Sequence, residues 1–245
     1  MLPDPWLLLG LFILTAYTIE TITGFGSIVI ALSLGALVLP IPQLLPVLVP
    51  LNMVMTGFLV VQHRRDLDVR LLLGLILPLM LTGTVAGYLL VPWLGSHSLQ
   101  VVLGGLLVWF AGRQLWMIQR GLSHTPHPPL ITRGLVFSAG ITHGMFASGG
   151  PLLVYAMAGI APSKTRFRAT LLAVWFILNT SLSALYLWDG TLLASLDRTV
   201  LYLPLLALGI VIGNWVHHWL NEDYFKVVVF ALLGVTGMVL VFGRA

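Results

Sequence analysis

No cysteine occurs in the 245 residues, and only 8% of them carry a charge. The first absence excludes a disulfide framework, thiol catalysis and any cysteine metal site. The second, beside a hydrophobic content of 58% and a mean hydropathy of +1.01, excludes a soluble domain of this length. The opening Met-Leu-Pro-Asp-Pro-Trp has neither the positive n-region nor the small-residue cleavage site of a signal peptide, so the first apolar run is expected to be retained. Also missing are a Ser-His-Asp order, an HExxH and a phosphate-binding loop, which removes the usual catalytic constellations. The formal charge of +4 and pI near 9.8 follow from the positive-inside rule alone and do not imply nucleic acid.

What remains is apolar sequence cut into ten runs, at about 6–22, 26–39, 44–62, 71–91, 99–118, 134–145, 150–160, 169–188, 199–219 and 225–242. The longer runs approach the roughly 20 residues that a helix needs to cross the hydrocarbon. Runs 26–39, 134–145 and 150–160 are shorter, as re-entrant or broken segments are. An internal repeat accounts for the number. Residues 75–94 laid over 201–220 match at nine of twenty positions, pairing Pro78 with Pro204, Gly83 with Gly209, Gly87 with Gly213 and Trp93 with Trp219 at an offset of 126. A block from Gln43 to Asn52 aligns with Thr170 to Asn179 at an offset of 127, and Gly24 pairs with Gly144 at 120.

Five elements per half is an odd number, so the two copies must enter the membrane from opposite sides. The expected fold is an all-α polytopic membrane protein of two inverted five-element repeats, with short broken or re-entrant helices at the centre. Residues 1–118 form the first repeat, 119–131 a cytoplasmic linker rich in proline, and 132–245 the second repeat, within one integral bundle. Arg64, Arg65 and Arg70, then Arg113, Arg120 and Arg133, then Lys164, Arg166 and Arg168 mark three cytoplasmic regions, which places both termini outside.

Two glycine stretches interrupt this pattern, Thr23-Gly24-Phe25-Gly26-Ser27 and His143-Gly144-Met145-Phe146-Ala147-Ser148-Gly149-Gly150-Pro151. Bare N–H groups at the start of a half-helix suit an anion, whereas the plain alternative is a loop between two spanning helices. The motifs Gly83-x-x-x-Gly87 and Gly209-x-x-x-Gly213 most simply mark close helix packing. Glu20 and His143 stand at the mouths of the breaks, where an ionisable group is a functional candidate by default. Glu20 is either a proton carrier or lies at the cytoplasmic interface, solvated or capping the next helix; His143 either titrates or is a hydrogen-bonded structural imidazole. Asn52 and Asn179 lie mid-way along apolar helices, as interhelical glue or as donors to a substrate. Lys164, Arg166 and Arg168 gather anions at the cytoplasmic mouth or simply obey topology. His217-His218 with Glu222-Asp223 invites a metal, but adjacent histidines on a helix diverge by about 100 degrees, so no metal is expected.

The two-repeat plan, Gly24-Phe25-Gly26, Ser148-Gly149-Gly150-Pro151, the turn Ala161-Pro162-Ser163-Lys164, and Arg168-Ala169-Thr170 leading into the helix of Asn179 resemble the TauE/SafE family of sulfite exporter-like permeases over nearly the whole chain. Ser27-Ile28 departs from the family pattern, where further glycine is usual. The resemblance implies a multi-pass protein of the bacterial inner membrane that moves sulfite, sulfonates or related sulfur-containing organic anions. On this reading a small anion is bound by Gly24, Gly26, Ser27, Asn52, His143, Ser148, Gly149, Gly150 and Asn179, with Glu20 and His143 as proton-coupling candidates and Lys164, Arg166 and Arg168 at the entrance. The expected partners are that anion, the lipid bilayer and protons as coupling ion, with no cofactor; a homo-oligomer is left open. A passive anion channel or uniporter is the alternative, and an intramembrane enzyme a distant third.

Overall fold

The computed structural model describes residues 4–23, 26–120, 126–157, 164–217 and 222–243. Among them the chain forms ten helices: α1 Pro5–Thr23, α2 Ser27–Gly35, α3 Ile41–His63, α4 Val69–Trp93, α5 Ser96–Arg120, α6 Pro129–Phe146, α7 Gly150–Ala156, α8 Lys164–Trp188, α9 Thr191–His217 and α10 Glu222–Phe242. Hydrocarbon offers no partner to a backbone N–H or C=O, so the long apolar runs have no alternative to helix. Six of them, α1, α3, α4, α5, α8 and α9, are long and apolar enough to cross a membrane. Their outward faces carry large exposed apolar side chains such as Leu7, Phe58, Leu201 and Val211, which lipid can cover. The protein is a multi-pass, all-helical membrane protein. Prolines do not stop α3 or α9, but α4 takes a π-helical stretch at Leu72–Ile76 just before Pro78. This is the adjustment expected where a proline removes a helical donor.

The chain divides into two compact units, and each draws on both sequence halves. The first comprises Met1–Leu48, Leu94–Ser123 and Leu196–Ala245, and so holds α1, α2, the start of α3, α5, most of α9 and α10. Here α5 and α10 meet at bare glycine: a Cβ on Gly104 would lie 2.6 Å from Gly237 O, and one on Gly237 2.8 Å from Gly104 O. Farther along, Gly234 faces Ala111, so the two helices run antiparallel. The ring of Phe110 meets that of Phe230 edge-on at 5.6 Å. Helix α9 lies parallel to α1, with Gly209 against Leu14 O and Tyr17, and Gly213 against Thr18 O and Thr21. The Tyr202 hydroxyl donates to Trp6 O at 2.7 Å, and the Arg198 guanidinium sits 3.6 Å over the Trp6 ring.

The second unit comprises Val49–Trp93 and His124–Ser195, holding the rest of α3, α4, α6, α7 and α8. Its core packs Ile76, Met80, Val136, Ala139, Leu153, Ala156, Val174 and Leu178. Helices α4 and α6 run parallel in close contact: Gly83 rests on Phe137 O and Gly140, and Gly87 on Ile141 O and Gly144. The register copies that of α9 on α1, since Leu14, Tyr17, Thr18 and Thr21 are spaced as Phe137, Gly140, Ile141 and Gly144 are. Helices α3 and α8 run antiparallel, with Asn52 against Asn179, Gly57 against Phe176, and Asp68 N–H donating to Thr170 Oγ1 at 3.0 Å.

The sequence reading of Gly83-x-x-x-Gly87 and Gly209-x-x-x-Gly213 as packing motifs thus has a physical cause, because backbone lies where any Cβ would go. Gly87→Ala is expected to lower stability by about 1–3 kcal/mol. Gly105→Ala, where nothing lies within 4 Å, is expected to leave it unchanged or slightly raised. Thermal unfolding of the two purified variants in detergent checks both.

Candidate substrate-binding site

Helix α6 ends at Ala147, whose left-handed backbone (φ 50°) lets its N–H bond back to His143 O at 2.6 Å. Ser148 and Gly149 make the reversal, and Pro151 sits in the first turn of α7, where its missing donor costs nothing. The strained residue at this break is therefore alanine, not glycine. Gly149 has ordinary helical dihedrals and is small for another reason, since a Cβ there would strike Ala139 O and crowd His143 Cβ at 3.0 Å. A Cβ on Gly150 would lie 3.4 Å from the Trp175 ring. Gly149 clears the space beside His143, and Gly150 borders the Trp175 ring.

The meeting of His143 and Trp175 is the core of the site. The His143 imidazole, 1% exposed, stacks on Trp175 with ring centroids 5.7 Å apart and planes 17° from parallel. One turn farther along α8 from Trp175, the Asn179 amide, also 1% exposed, lies beside the imidazole and donates from Nδ2 to Asn52 Oδ1 at 2.7 Å. Neither ring nitrogen of His143 has a hydrogen-bond partner of normal geometry among the described residues, and neither does Asn179 Oδ1. Buried polar atoms in native proteins are nearly always paired, and leaving one bare costs about 1–3 kcal/mol. Side chains that carry such a cost together in one place make this cluster the candidate ligand site.

The other break belongs to the first unit. Gly26 takes φ 102°, which needs glycine, and α2 starts at Ser27. The Ser27 N–H donates to Glu20 Oε2 at 3.2 Å, and both residues are buried. The Glu20 carboxyl therefore satisfies a bare N–H at the start of α2, the capping role among those its position suggested. Of the residues singled out from sequence, His143, Gly149, Gly150, Asn52 and Asn179 come together in the second unit, with Ser148 in the adjoining turn. Gly26, Ser27 and Glu20 form a group in the first. Arg166 and Arg168 are exposed at the start of α8. Gly24, the side chain of Lys164 and those of His217, His218, Glu222 and Asp223 lie outside the described residues.

Sequence reasoning missed two features of the second unit. Trp175 was hidden among eight tryptophans, although its spacing of four from Asn179 puts both on one helical face. At the far end of α8 the Tyr88 hydroxyl donates to Asp189 Oδ2, Tyr88 packs on Tyr186 with centroids 5.8 Å apart, and Thr191 donates to Asp189 Oδ1 from its N–H at 2.9 Å and its hydroxyl at 2.6 Å. Burial pushes the Asp189 carboxyl up, but the bonds from the Thr191 hydroxyl, the Tyr88 hydroxyl and the Thr191 N–H together outweigh it and hold the group below its usual value. A carboxyl depressed in the folded state stabilises in full above its unfolded value of about 4, and the contribution fades as pH falls through the lower folded value. Asp189→Asn is expected to flatten that acid limb; thermal unfolding of both proteins across the acid range measures it.

The family model for sulfite exporter TauE/SafE matches residues 8–240, nearly the whole chain and every helix named above. No curated protein and no solved structure matches. The chain belongs to the sulfite exporter TauE/SafE family, and it is a membrane transporter of anions such as sulfite rather than an enzyme.

Proposed function

We propose that the protein is a secondary transporter of the bacterial inner membrane that binds a small sulfur oxyanion or organosulfonate at His143, Asn179 and Asn52 and carries it by alternating access. The observation that carries this reading is the set of buried, unpartnered polar atoms on His143 and Asn179, walled by Trp175. The His143 imidazole offers a neutral N–H donor that an oxyanion accepts from, Asn179 Nδ2 has a second hydrogen beside the one given to Asn52, and in a water-poor setting each such bond is stronger than in solution. Helix α7, with only seven residues, aligns too few peptides to hold an anion by its dipole, so recognition falls to side chains. Gly149 serves by making room beside His143. Exposed Arg64, Arg65, Arg70, Arg166 and Arg168 lie at the end of the second unit joined by Asp68 and Thr170, where they face the cytoplasm and attract anions. Both termini then face the periplasm.

The inverted-repeat reading draws support from each unit taken alone. Helices α3 and α8, equivalent in the repeat, are antiparallel, as are α5 and α10, and an inverted pair has that relation. The contact of α4 on α6 recurs, with the repeats exchanged, as α9 on α1. Alternating access then follows from two repeats that exchange conformations about a fixed site. Glu20 is the proton carrier in this account. Protonation removes the negative charge that caps α2 and so shifts the balance between the two states.

His143→Gln and Asn179→Leu are expected to weaken sulfite binding at least about tenfold, read as a smaller ligand-induced rise in melting temperature. An undiminished rise in both variants contradicts the site. Gly149→Leu is a poor probe of binding, because its side chain would strike α6 backbone. In liposomes the wild type should show saturable flux and counterflow, and Glu20→Gln should remove dependence on the pH gradient; single-channel currents would instead identify a pore.

A further inference from the structure

Helical serines and threonines in apolar surroundings ordinarily donate to the carbonyl one turn back. On α8, Thr170 does so to Arg166 O at 2.8 Å, Thr180 to Phe176 O at 2.7 Å, and Ser181 to Ile177 O at 2.9 Å. Ser183 departs from this habit. It is 7% exposed, and its hydroxyl oxygen has no partner among the described residues. Positions 175, 179 and 183 fall on one face of α8, so Ser183 extends the row that begins with Trp175 and Asn179.

The atoms left unpaired along this row are not all of one kind. A neutral imidazole offers one donor and one acceptor, and a hydroxyl offers one donor and two lone pairs. Asn179 Oδ1 can only accept, because its Nδ2 is the end of the amide that reaches Asn52. Arg70 of α4 and Arg166 and Arg168 at the start of α8 are exposed rather than turned inward to this row. A fully ionised oxyanion would set lone pairs against Asn179 Oδ1. A ligand that brings its own O–H would satisfy it.

Building on the reading of this cluster as the substrate site, we propose that it selects a singly charged sulfur oxyanion that also carries an O–H donor, with Ser183 as a third contact. The anionic oxygens accept from His143 and Ser183, and the ligand O–H donates to Asn179 Oδ1. Hydrogensulfite in its O–H form and hydroxyl-bearing sulfonates share this chemistry, whereas simple alkanesulfonates lack the donor and sulfate lacks both the donor and the single charge.

The test is calorimetric titration of the purified full chain with ethanesulfonate, with isethionate, which is ethanesulfonate bearing a hydroxyl, and with sulfite at mildly acidic pH where hydrogensulfite predominates. At least one of the two O–H ligands should bind about tenfold or more tighter than ethanesulfonate, and which one does so identifies the source. Ser183→Ala should weaken that ligand about tenfold while leaving the melting temperature of the ligand-free protein unchanged or higher, since the hydroxyl it removes makes no bond within the fold. Isethionate and hydrogensulfite binding no tighter than ethanesulfonate would overturn the donor requirement while the anion site stands. No binding by any of the three would overturn the site itself. A lowered melting temperature with unchanged affinity in Ser183→Ala would assign Ser183 to structure instead.

Discussion

Inside hydrocarbon every polar atom must find a partner within the protein, and the rest of this structure depends on how that demand is met. The backbone meets it by remaining helical wherever the sequence is apolar. The hydroxyls meet it by bonding one turn back, as Thr18 does to Leu14 O, Thr21 to Tyr17 O, Thr82 to Pro78 O and Thr236 to Leu232 O. At the α2 break, Glu20 meets it by accepting the Ser27 N–H. Against that background the bare atoms of His143, Asn179 and Ser183 stand out; the other such atom among the described residues is His127 Nε2, just ahead of α6. A substrate that alternately occupies and leaves a site needs such atoms, because a fully satisfied pocket has nothing left to offer.

Close helix packing decides where those atoms sit. Wherever glycine brings two backbones together, at Gly83 and Gly87 of α4 against α6 or Gly104 and Gly237 between α5 and α10, the helix register is fixed by contact with carbonyl oxygens. The α4–α6 contact ends at Gly144, beside His143 and next to the Tyr88 N–H. The imidazole is thus carried on a helix whose position leaves little freedom, and the stack on Trp175 orients its plane. Preorganisation of this sort keeps the ordering cost of binding low.

How much could be read beforehand follows from which interactions are local. Each of the ten apolar runs corresponds to a helix, because the backbone demand acts residue by residue along the chain. The repeat placed Asn52 and Asn179 at equivalent positions in the two halves, and these two prove to be hydrogen-bonded, so one edge of the Asn179 amide is glue and the other is unpaired. The glycine breaks were visible, but the reason for the glycines was not. Gly26 needs its positive φ, whereas Gly149 is small for α6 backbone and His143, and composition alone does not separate these causes. Trp175, the bond from Tyr88 to Asp189 and the regrouping of both halves into two interleaved units rest on contacts between residues far apart in sequence. Hydrophobic periodicity carries no record of such pairings.

The central claim is that an anion enters beside His143 and Trp175, and the fluorescence of Trp175 reports on that place directly. Sulfite titrated into the wild-type protein should change tryptophan emission saturably, and that change should vanish in Trp175→Phe while a ligand-induced rise in melting temperature persists. An emission change that survives undiminished in Trp175→Phe would place the bound anion elsewhere and contradict the account.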